Sequence, residues 1–324
     1  MQFNRDELLG AYRRMKTIRA FEERLHDEIK TGEIAGFTHL YAGQEAVAVG
    51  ICDQLTVDDK IVSTHRGHGH CIAKGCDVKG MMKEIYGKAG GLCKGRGGSM
   101  HIADLEVGML GANGIVGGGA PQAVGAAIAA RLQGKGRVGI AFSGDGACNQ
   151  GTTFEAMNLA VVTKVPAIFV FENNHYSEHT GDAYAVGTSN DIASRAEGFG
   201  MKAWRANGCD YFDTYATFAQ LLEYVRAGNG PAAIELDTER FYGHFEGDPQ
   251  RYRGPGELDR LRDERDCLKA FRARVTEAAL LSADELDAID SEVDALIDEA
   301  VAEARADDMP DPAGVADDVY VEYY

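Results

Sequence analysis

The chain has 324 residues, of which 45% are hydrophobic, so it can bury a core in one large domain or two modest ones. Its 51 acidic and 33 basic residues give a net charge of −18, which argues against nucleic acid or an anionic membrane surface as a partner. The start of the chain has no apolar segment typical of a secretion signal, and no run of about 18 apolar residues predicts a membrane span. Seven scattered cysteines without a Cys-x-x-Cys pair are typical of reduced thiols, so we expect a soluble, cytoplasmic protein.

The first predicted element is a helix over residues 4–30. Asn4 followed by Glu7 is a capping-box pattern, and apolar residues then recur every three or four positions as far as Ile29. A second helix is predicted over 43–55. Residues 87–119 are rich in glycine and show no regular pattern, and a loop of that length inside a domain is usually functional or disordered.

From Pro121 onward, short apolar segments alternate with helical ones. The predicted helices are 121–133, 154–163 and 211–226, the predicted strands are 137–143, 165–171, one near Ala203 and 232–236, and 191–199 continues the alternation. Apolar strands separated by helices indicate a mostly parallel sheet covered by helices on both faces. We therefore predict an α/β fold in a single domain, 1–324, with peripheral helices from about residue 256.

Two polar turns follow consecutive predicted strands. Gly144-Asp145-Gly146 comes after the first strand and Asn173-Asn174 after the second. A right-handed crossover brings both strand ends to one edge of the sheet, so Asp145 and Asn174 can converge although some thirty residues separate them. Carboxylate and amide oxygens suit Mg²⁺ or Ca²⁺, and Mg²⁺ commonly completes its octahedron with phosphate oxygens and water. The pattern predicts a diphosphate held through a divalent metal, with two ordinary polar turns as the alternative.

This spacing of Gly-Asp-Gly and Asn-Asn resembles the signature of thiamine-diphosphate enzymes. From about Gly36 to Arg253, the chain is similar to the alpha subunits of two-chain 2-oxo-acid dehydrogenase E1 components. The resemblance rests on Tyr41-Ala-Gly-Gln-Glu45, His65-Arg-Gly-His68, Lys94-Gly-Arg-Gly-Gly-Ser-Met-His101, Gly111-Ala-Asn-Gly-Ile-Val-Gly117, Gly144-Asp-Gly-Ala-Cys-Asn-Gln-Gly151 and Arg240-Phe-Tyr-Gly-His244. It implies the thiamine-diphosphate-binding fold of transketolase-like enzymes.

The resemblance also implies how the cofactor is held. Asp145 and Asn174 would bind the metal, Mg²⁺ with Ca²⁺ or Mn²⁺ as alternatives, and the backbone carbonyl of Tyr176 would be a third ligand. Arg66 and Arg240 would bind the diphosphate, because the fork of a guanidinium matches phosphate oxygens.

The remaining site residues are assigned by the same resemblance. The cofactor-binding positions beside Asp145 are Gly144, Gly146 and Ala147, of which the last two would contact the diphosphate through the backbone. The positions expected against the aminopyrimidine ring are Gly114 and Val116. The residues expected to face the substrate, as donors to the diphosphate, the carbonyl adduct or an incoming lipoyl group, are His68 and His244.

Histidines suggest one alternative metal site, and one histidine departs from the pattern of the alpha subunits. A zinc site could be suggested by His65, His68, His70 and Cys71, but their spacing matches no common template and Arg66 would repel the cation. No role is assigned to His39, His101, His175 and His179. His65 stands where many alpha subunits have tyrosine, so the contact at that position is in doubt.

A second departure follows His244. Mitochondrial-type pyruvate dehydrogenases have a phosphorylatable serine next in the chain, whereas this protein has Phe245. Control by phosphorylation at that position is therefore excluded.

Thiamine chemistry needs a carboxylate beside the pyrimidine ring. Glu45 and Glu155 are interpreted as structural, so the resemblance assigns this glutamate to a beta chain in an α2β2 assembly, and we expect the alpha chain alone to be inactive. The implied reaction is C–C cleavage of a carbonyl substrate with acyl transfer to a lipoyl group on an E2 partner.

The substrate is indicated by three segments, 63–71, 108–114 and 242–247, which look most like acetoin dehydrogenase alpha subunits. Pyruvate dehydrogenase E1 alpha and branched-chain 2-oxo-acid dehydrogenase are the alternatives. Hypotheses from other classes are a non-catalytic assembly subunit and a transketolase-like half-enzyme that moves ketol units.

Overall fold

Helices and strands alternate through most of the structure, a computed structural model that describes residues 3–187 and 191–317. The helices are α1 Arg5–Ile29, α2 Glu45–Cys52, α3 His68–Lys74, α4 Val78–Ile85, α5 Gly119–Gln133, α6 Gly151–Thr163, α7 Asp182–Ala185, α8 Ala193–Gly198, α9 Tyr211–Arg226, α10 Glu257–Glu264, α11 Cys267–Glu277 and α12 Ala283–Ala306. The strands are β1 Lys60–Val62, β2 Met109–Gly111, β3 Gly139–Gly144, β4 Ala167–Asn173, β5 Tyr176–Ser177, β6 Thr180–Gly181, β7 Lys202–Asn207 and β8 Ala232–Asp237. Among the described residues, no helix is long and apolar enough to cross a membrane.

Six strands form one sheet in the order β2-β1-β3-β4-β8-β7, and every neighbouring pair in it is parallel. The short strands β5 and β6 form a separate antiparallel hairpin. In the central pair, Ser143 is in register with Phe171 and Gly144 with Glu172, so β3 and β4 end side by side. The predicted α/β fold with a mostly parallel sheet is confirmed.

Helices cover both faces of this sheet because side chains along a strand alternate between its two faces. Ile168 and Val170 of β4 belong to one buried cluster, with residues of α1, α2, α3, α4, α9, α11 and α12. Phe169 and Phe171 belong to a second cluster, with residues of α5, α6 and α8. Burial of side chains of this size contributes roughly 1.5–3 kcal/mol each. A strand buried on both faces reads as a continuous apolar run, which made β4 predictable.

The two longest helices, α1 and α12, begin with the same device. Asn4 caps α1 by accepting from the backbone N–H of Glu7 at 2.9 Å while the Glu7 carboxylate accepts from Asn4 at 2.8 Å, as predicted. Ser282 and Glu285 form the equivalent capping box for α12. Acidic residues of α12 pair with basic residues of α1 and α4, for example Lys16 with Asp294. Such surface pairs are worth at most about 1 kcal/mol each.

The glycine-rich stretch 87–119 is held by one buried carboxylate. Glu84 of α4 accepts from the backbone N–H groups of Cys93, Gly95, Gly97 and Gly98 at 2.7–3.1 Å. Helices α3 and α4 and strands β1 and β2 were not predicted. The two strands have only three residues each, which is too short to show a hydrophobic period.

Candidate active site

A cavity of about 280 Å³ opens at the carboxyl ends of β3 and β4. In parallel sheets this edge is where ligands bind. The predicted site residues that line the cavity are Arg66, Val116, Gly144, Asp145, Gly146, Ala147, Asn174, Tyr176, Arg240 and His244. Residues from segments far apart in the chain therefore meet at one place.

Asp145 follows the last residue of β3 and is almost completely buried. Its Oδ2 accepts a hydrogen bond from Ser177 Oγ at 2.9 Å, and its backbone carbonyl accepts one from Cys148 Sγ at 2.7 Å. Burial raises the pKa of the Asp145 carboxyl, against the lowering effect of Ser177. A carboxylate in this setting favours a bound cation as counter-charge.

Asn174 follows β4, where the chain turns sharply toward the β5–β6 hairpin. Its Nδ2 donates to Gln44 Oε1 at 3.0 Å, and its Oδ1 accepts from the backbone N–H of Tyr176 at 3.4 Å. The amide oxygen has a second lone pair that could bind a cation. The next residue, His175, has φ +70°, in the left-handed region that is costly for a side chain of this kind.

His175 is fixed in that turn by two carboxylates. Its Nδ1 lies 2.6 Å from Asp182 and its Nε2 lies 2.7 Å from Asp237. The hydrogen bond to Asp237 raises the pKa of His175 to about 9, even though burial opposes it. Tyr176 follows, and its phenol O–H donates to Glu257 at 3.0 Å. Because its side chain is hydrogen-bonded to Glu257, Tyr176 would bind a metal through its backbone carbonyl, as the resemblance implies.

Arg66 and Arg240 are both buried cations, with 4% and 1% of their surface exposed. Arg66 donates to the backbone carbonyls of Leu40 and His244, and Arg240 donates to Tyr242 O and to Tyr252 Oη. Within the described chain, neither guanidinium forms an ion pair with a carboxylate. Burial, followed by the charge of Arg240, lowers the pKa of Arg66 to about 9. Buried charges without counter-charges are costly, so the two arginines fit an anionic ligand.

The remaining lining fits a diphosphate. A Cβ atom added at Gly144 would meet no atom within 4 Å, so the backbone there is open to a ligand. Gln44 Nε2 is buried and has no hydrogen-bond partner among the described residues, although its side chain lines the cavity. The cavity thus combines oxygen donors for a hard cation with guanidinium and amide donors for phosphate oxygens.

Two predicted residues lie elsewhere. His68 is fully buried behind the cavity, where Nδ1 lies 3.0 Å from the Glu22 carboxylate and Nε2 lies 2.9 Å from Ser99 Oγ. It does not face the substrate side as expected, because the first turn of α3 directs it toward α1. Gly114 is not among the lining residues, and a Cβ atom there would meet the ring of His101 at 3.3 Å.

A buried network underlies the cavity. Glu172, a lining residue, accepts from Tyr41 Oη, and His70 Nε2 lies 3.2 Å from the same carboxylate oxygen. His70 Nδ1 is 2.7 Å from Ser63 Oγ. With His70 and His68 engaged in this way, the zinc alternative drawn from the sequence brings no ligand set together. The sequence did not indicate Gln44, Glu172 or Ser177 as lining residues, although Gln44 belongs to the Tyr41–Glu45 motif and Glu172 directly precedes Asn173-Asn174.

Three other histidines do converge. The side chains of His39, His65 and His244 place potential ligand nitrogens within 4.8 Å of one another. Their ring centroids are 4.5 Å apart for His39 and His65, 5.1 Å for His39 and His244, and 5.2 Å for His65 and His244. Burial and the neighbouring arginines lower the pKa of His39 and of His244 to about 3, and that of His65 well below its usual value. We refer to these residues as the three-histidine cluster.

The protein is α/β, and the cavity at the carboxyl edge of its parallel sheet is lined by two buried arginines. The chain belongs to the dehydrogenase E1 component family, whose model matches residues 13–313. This confirms the resemblance seen in the sequence, and the family is one of thiamine-diphosphate-dependent oxidoreductases.

The chain is similar to alpha subunits named for acetoin oxidation and to alpha subunits named for pyruvate dehydrogenase. The chain is 54% identical over 323 residues to the alpha subunit of acetoin:2,6-dichlorophenolindophenol oxidoreductase from Cupriavidus necator, covering 100% of this chain and 97% of the relative. It is 46% identical over 323 residues to the protein of the same name from Bacillus subtilis, covering 100% and 96%. It is 37% identical over 318 residues to the pyruvate dehydrogenase E1 component subunit alpha of Rhizobium meliloti, covering 98% and 91%.

Proposed function

We propose that this chain is the alpha subunit of an α2β2 E1 component that cleaves acetoin and passes the acyl group to a lipoyl group on an E2 partner. The observation that carries the proposal is a pair of buried guanidiniums, Arg66 and Arg240, that form no ion pair with a described carboxylate and lie in the same cavity as Asp145 and Asn174. Acetoin is favoured over pyruvate because the relatives named for acetoin are 54% and 46% identical, against 37% and 41% for two relatives named for pyruvate. Pyruvate, and after it a branched 2-oxo acid, are the alternative substrates.

The chain's own residues hold and orient the cofactor. Asp145, Asn174 and the carbonyl of Tyr176 would bind Mg²⁺, with the carboxylate supplying the formal negative charge. Arg66 and Arg240, both buried, would bind the diphosphate oxygens through charge-assisted hydrogen bonds. Thiamine diphosphate, when bound, supplies the electron sink for cleavage of the C–C bond.

A beta chain would complete the site on the side of the cavity near residues 115–117. There Ile115 and Val116 line the cavity yet are 72% and 44% exposed. Exposed apolar residues at the rim of a polar cavity favour coverage by another protein surface. Among the described residues, the carboxylates that line the cavity are Asp145, Glu172 and Glu178. Asp145 accepts a hydrogen bond from Ser177, and Glu172 accepts one from Tyr41. Glu178 lies between β5 and β6, in the hairpin that follows Asn174.

With Asp145, Glu172 and Glu178 placed in this way, the described part of the chain offers no carboxylate beside the aminopyrimidine ring of the cofactor. The beta chain would therefore supply the glutamate that activates the cofactor. Glu45, interpreted from the sequence as structural, forms a buried ion pair with Arg19 at 2.6 Å. It is not free to take that role.

The proposal is tested by co-expressing the chain with its beta subunit and measuring dye-linked oxidation of acetoin, pyruvate and branched 2-oxo acids side by side. We expect acetoin to give the highest kcat/KM, and an Asp145→Ala complex to give none. Preference for pyruvate would reassign the substrate. Absence of thiamine-diphosphate binding would indicate an assembly subunit, and dependence on a sugar phosphate acceptor would indicate ketol transfer.

A further inference from the structure

The three-histidine cluster differs from His68, His70 and His175 in what its rings contact. His68, His70 and His175 each lie within 3.2 Å of a carboxylate oxygen. Among the described residues, the structure gives no carboxylate partner to the rings of His39, His65 or His244, although all three lie beside the proposed cofactor site. Imidazole rings without acidic partners in a cationic setting stay neutral, so each keeps a ring nitrogen with a free lone pair.

Only one member of the cluster lines the cavity without a side-chain hydrogen bond to a described residue. His39 does not line the cavity, and its Nδ1 is buried without a partner. His244 lines the cavity, but its Nδ1 lies 3.4 Å from Arg240 Nη1, a guanidinium that can only donate. His65 lines the cavity and forms no side-chain hydrogen bond to any residue that the structure describes. Its contacts are the rings of His39 and His244.

Resting on the proposed cleavage of a 2-hydroxy ketone, we propose that His65 is the base that accepts the hydroxyl proton of that substrate. The two candidate substrate classes differ in this need. Pyruvate loses carbon dioxide from a carboxylate that is already ionised, whereas a 2-hydroxy ketone must lose a hydroxyl proton as its C–C bond breaks. A neutral imidazole at the cavity wall serves the second reaction and has no proton to remove in the first.

Cleavage of the 2-hydroxy ketone moves one proton and two electron pairs. The O–H bond of the carbinol breaks and its proton passes to a ring nitrogen of His65, while the O–H electron pair forms the C=O π bond of the departing aldehyde. The pair of the broken C–C bond passes to the former carbonyl carbon, and thiamine diphosphate held by Arg66 and Arg240 would supply the electron sink for it. The proton on His65 is returned to water once the aldehyde has left.

The charges around the cluster suit this role. Burial, followed by the charge of Arg66, lowers the pKa of His65 well below its usual value, which favours the unprotonated base form before substrate arrives. A bound diphosphate brings negative charge to Arg66 and Arg240, which offsets their field and increases the proton affinity of the cluster.

The test uses the α/β complex with Mg²⁺ and thiamine diphosphate, and compares His65→Phe and His65→Asn with the wild type. His179→Phe is the matched control, because His179 is exposed and does not line the cavity. We expect both His65 variants to lower the ratio of kcat/KM for acetoin to kcat/KM for pyruvate by about 10²-fold or more, the usual size of base catalysis. The control should leave the ratio at its wild-type value.

A binding measurement separates a base from a hydrogen-bonding group. Acetoin and 2-butanone, which lacks the hydroxyl, are titrated calorimetrically into the complex loaded with a thiamine diphosphate analogue that has no acidic C2–H. We expect His65→Phe to reduce the acetoin-to-2-butanone affinity ratio about fivefold or more, and His65→Asn to restore that ratio without restoring turnover.

The outcomes of the two measurements are distinct. Wild-type turnover of acetoin by His65→Asn would overturn the assignment, as would an unchanged affinity ratio in His65→Phe. Failure of the wild-type complex to turn over acetoin would overturn the proposed substrate, and the affinity ratio would still decide whether His65 recognises the hydroxyl.

Discussion

Arg66 and Arg240 are joined through a single residue, His244. Arg66 Nη2 donates to the backbone carbonyl of His244 at 2.9 Å, and Arg240 Nη1 lies 3.4 Å from its Nδ1. One arginine precedes α3 and the other follows β8, so the contact fixes two distant segments against each other. Because two like charges are held close together without an ion pair to a described carboxylate, we expect this site to bind an anion.

The first prediction concerns that anion. Inorganic pyrophosphate with Mg²⁺ should raise the unfolding temperature of the cofactor-free α/β complex, because a ligand that binds only the folded state stabilises it. Arg66→Lys keeps the charge but loses the fork, and we expect at least tenfold weaker binding by calorimetry, consistent with roughly 1.5–3 kcal/mol for a charged hydrogen bond. Arg205→Ala, which removes a surface arginine paired with Asp191, is the control and should bind normally. Equal affinity in the Arg66 variant would contradict the assignment.

The second prediction concerns Ser177, whose hydroxyl donates to the Asp145 carboxylate at 2.9 Å. Ser177→Ala should weaken Mg²⁺ binding by roughly 10-fold or more, the effect of one hydrogen bond to a charged group. The measurement is the Mg²⁺ dependence of thiamine-diphosphate binding to the metal-stripped complex. Ser291→Ala on α12 removes a hydroxyl far from the cavity and should leave the dependence unchanged. A wild-type curve for Ser177→Ala would show that Asp145 is positioned without it.

The third prediction concerns the turn at His175. His175→Ala removes the bridge to Asp182 and Asp237 and places alanine at φ +70°, so the orientation of Asn174 should be lost. We expect Mg²⁺-dependent cofactor affinity to fall at least tenfold. His175→Asn is the matched control, because asparagine tolerates left-handed backbone, and it should recover part of the loss. Full affinity in the alanine variant would show that metal binding does not depend on the turn at His175.

The fourth prediction is a pH dependence set by His39. Burial first, and then the charge of Arg66, lower the pKa of His39 from 6.5 to about 3. Its contribution to stability is therefore complete above pH 6.5 and is lost as pH falls toward 3, since the unfolded chain takes up the proton that the folded chain resists. The melting temperature of the cofactor-free complex should fall more steeply between pH 7 and about 5 for wild type than for His39→Gln. Parallel curves would show that His39 is protonated without penalty.

Much of the fold could be predicted because its signals are local. The buried runs of β3 and β4 and the capping pair of Asn4 and Glu7 were visible in the sequence. Their strand ends placed Asp145 and Asn174 together before any coordinate was known. By contrast, β1 and β2 are stabilised by neighbouring strands rather than by their own pattern, so three residues gave no period to detect.

The sequence indicates site residues where a motif is tied to backbone geometry, as at the ends of β3 and β4. It does not indicate them where contacts between distant segments position the side chain. His68 belongs to a motif, yet the helix direction at α3 and the carboxylate of Glu22 turn it away from the cavity. His39, His65 and His244 come from three separate segments, so no spacing reports their convergence. The lack of acidic partners for Arg66 and Arg240 is likewise a property of the folded chain alone.

The central claim is that this chain holds a diphosphate cofactor through a metal at Asp145. Calorimetric titration of thiamine diphosphate into the α/β complex, with and without Mg²⁺, tests it most directly in the wild type and in Asp145→Ala. The account predicts one cofactor per alpha chain in the presence of Mg²⁺, with affinity reduced at least a hundredfold by removal of the metal or by the substitution. Metal-independent binding of equal affinity in both proteins would contradict it.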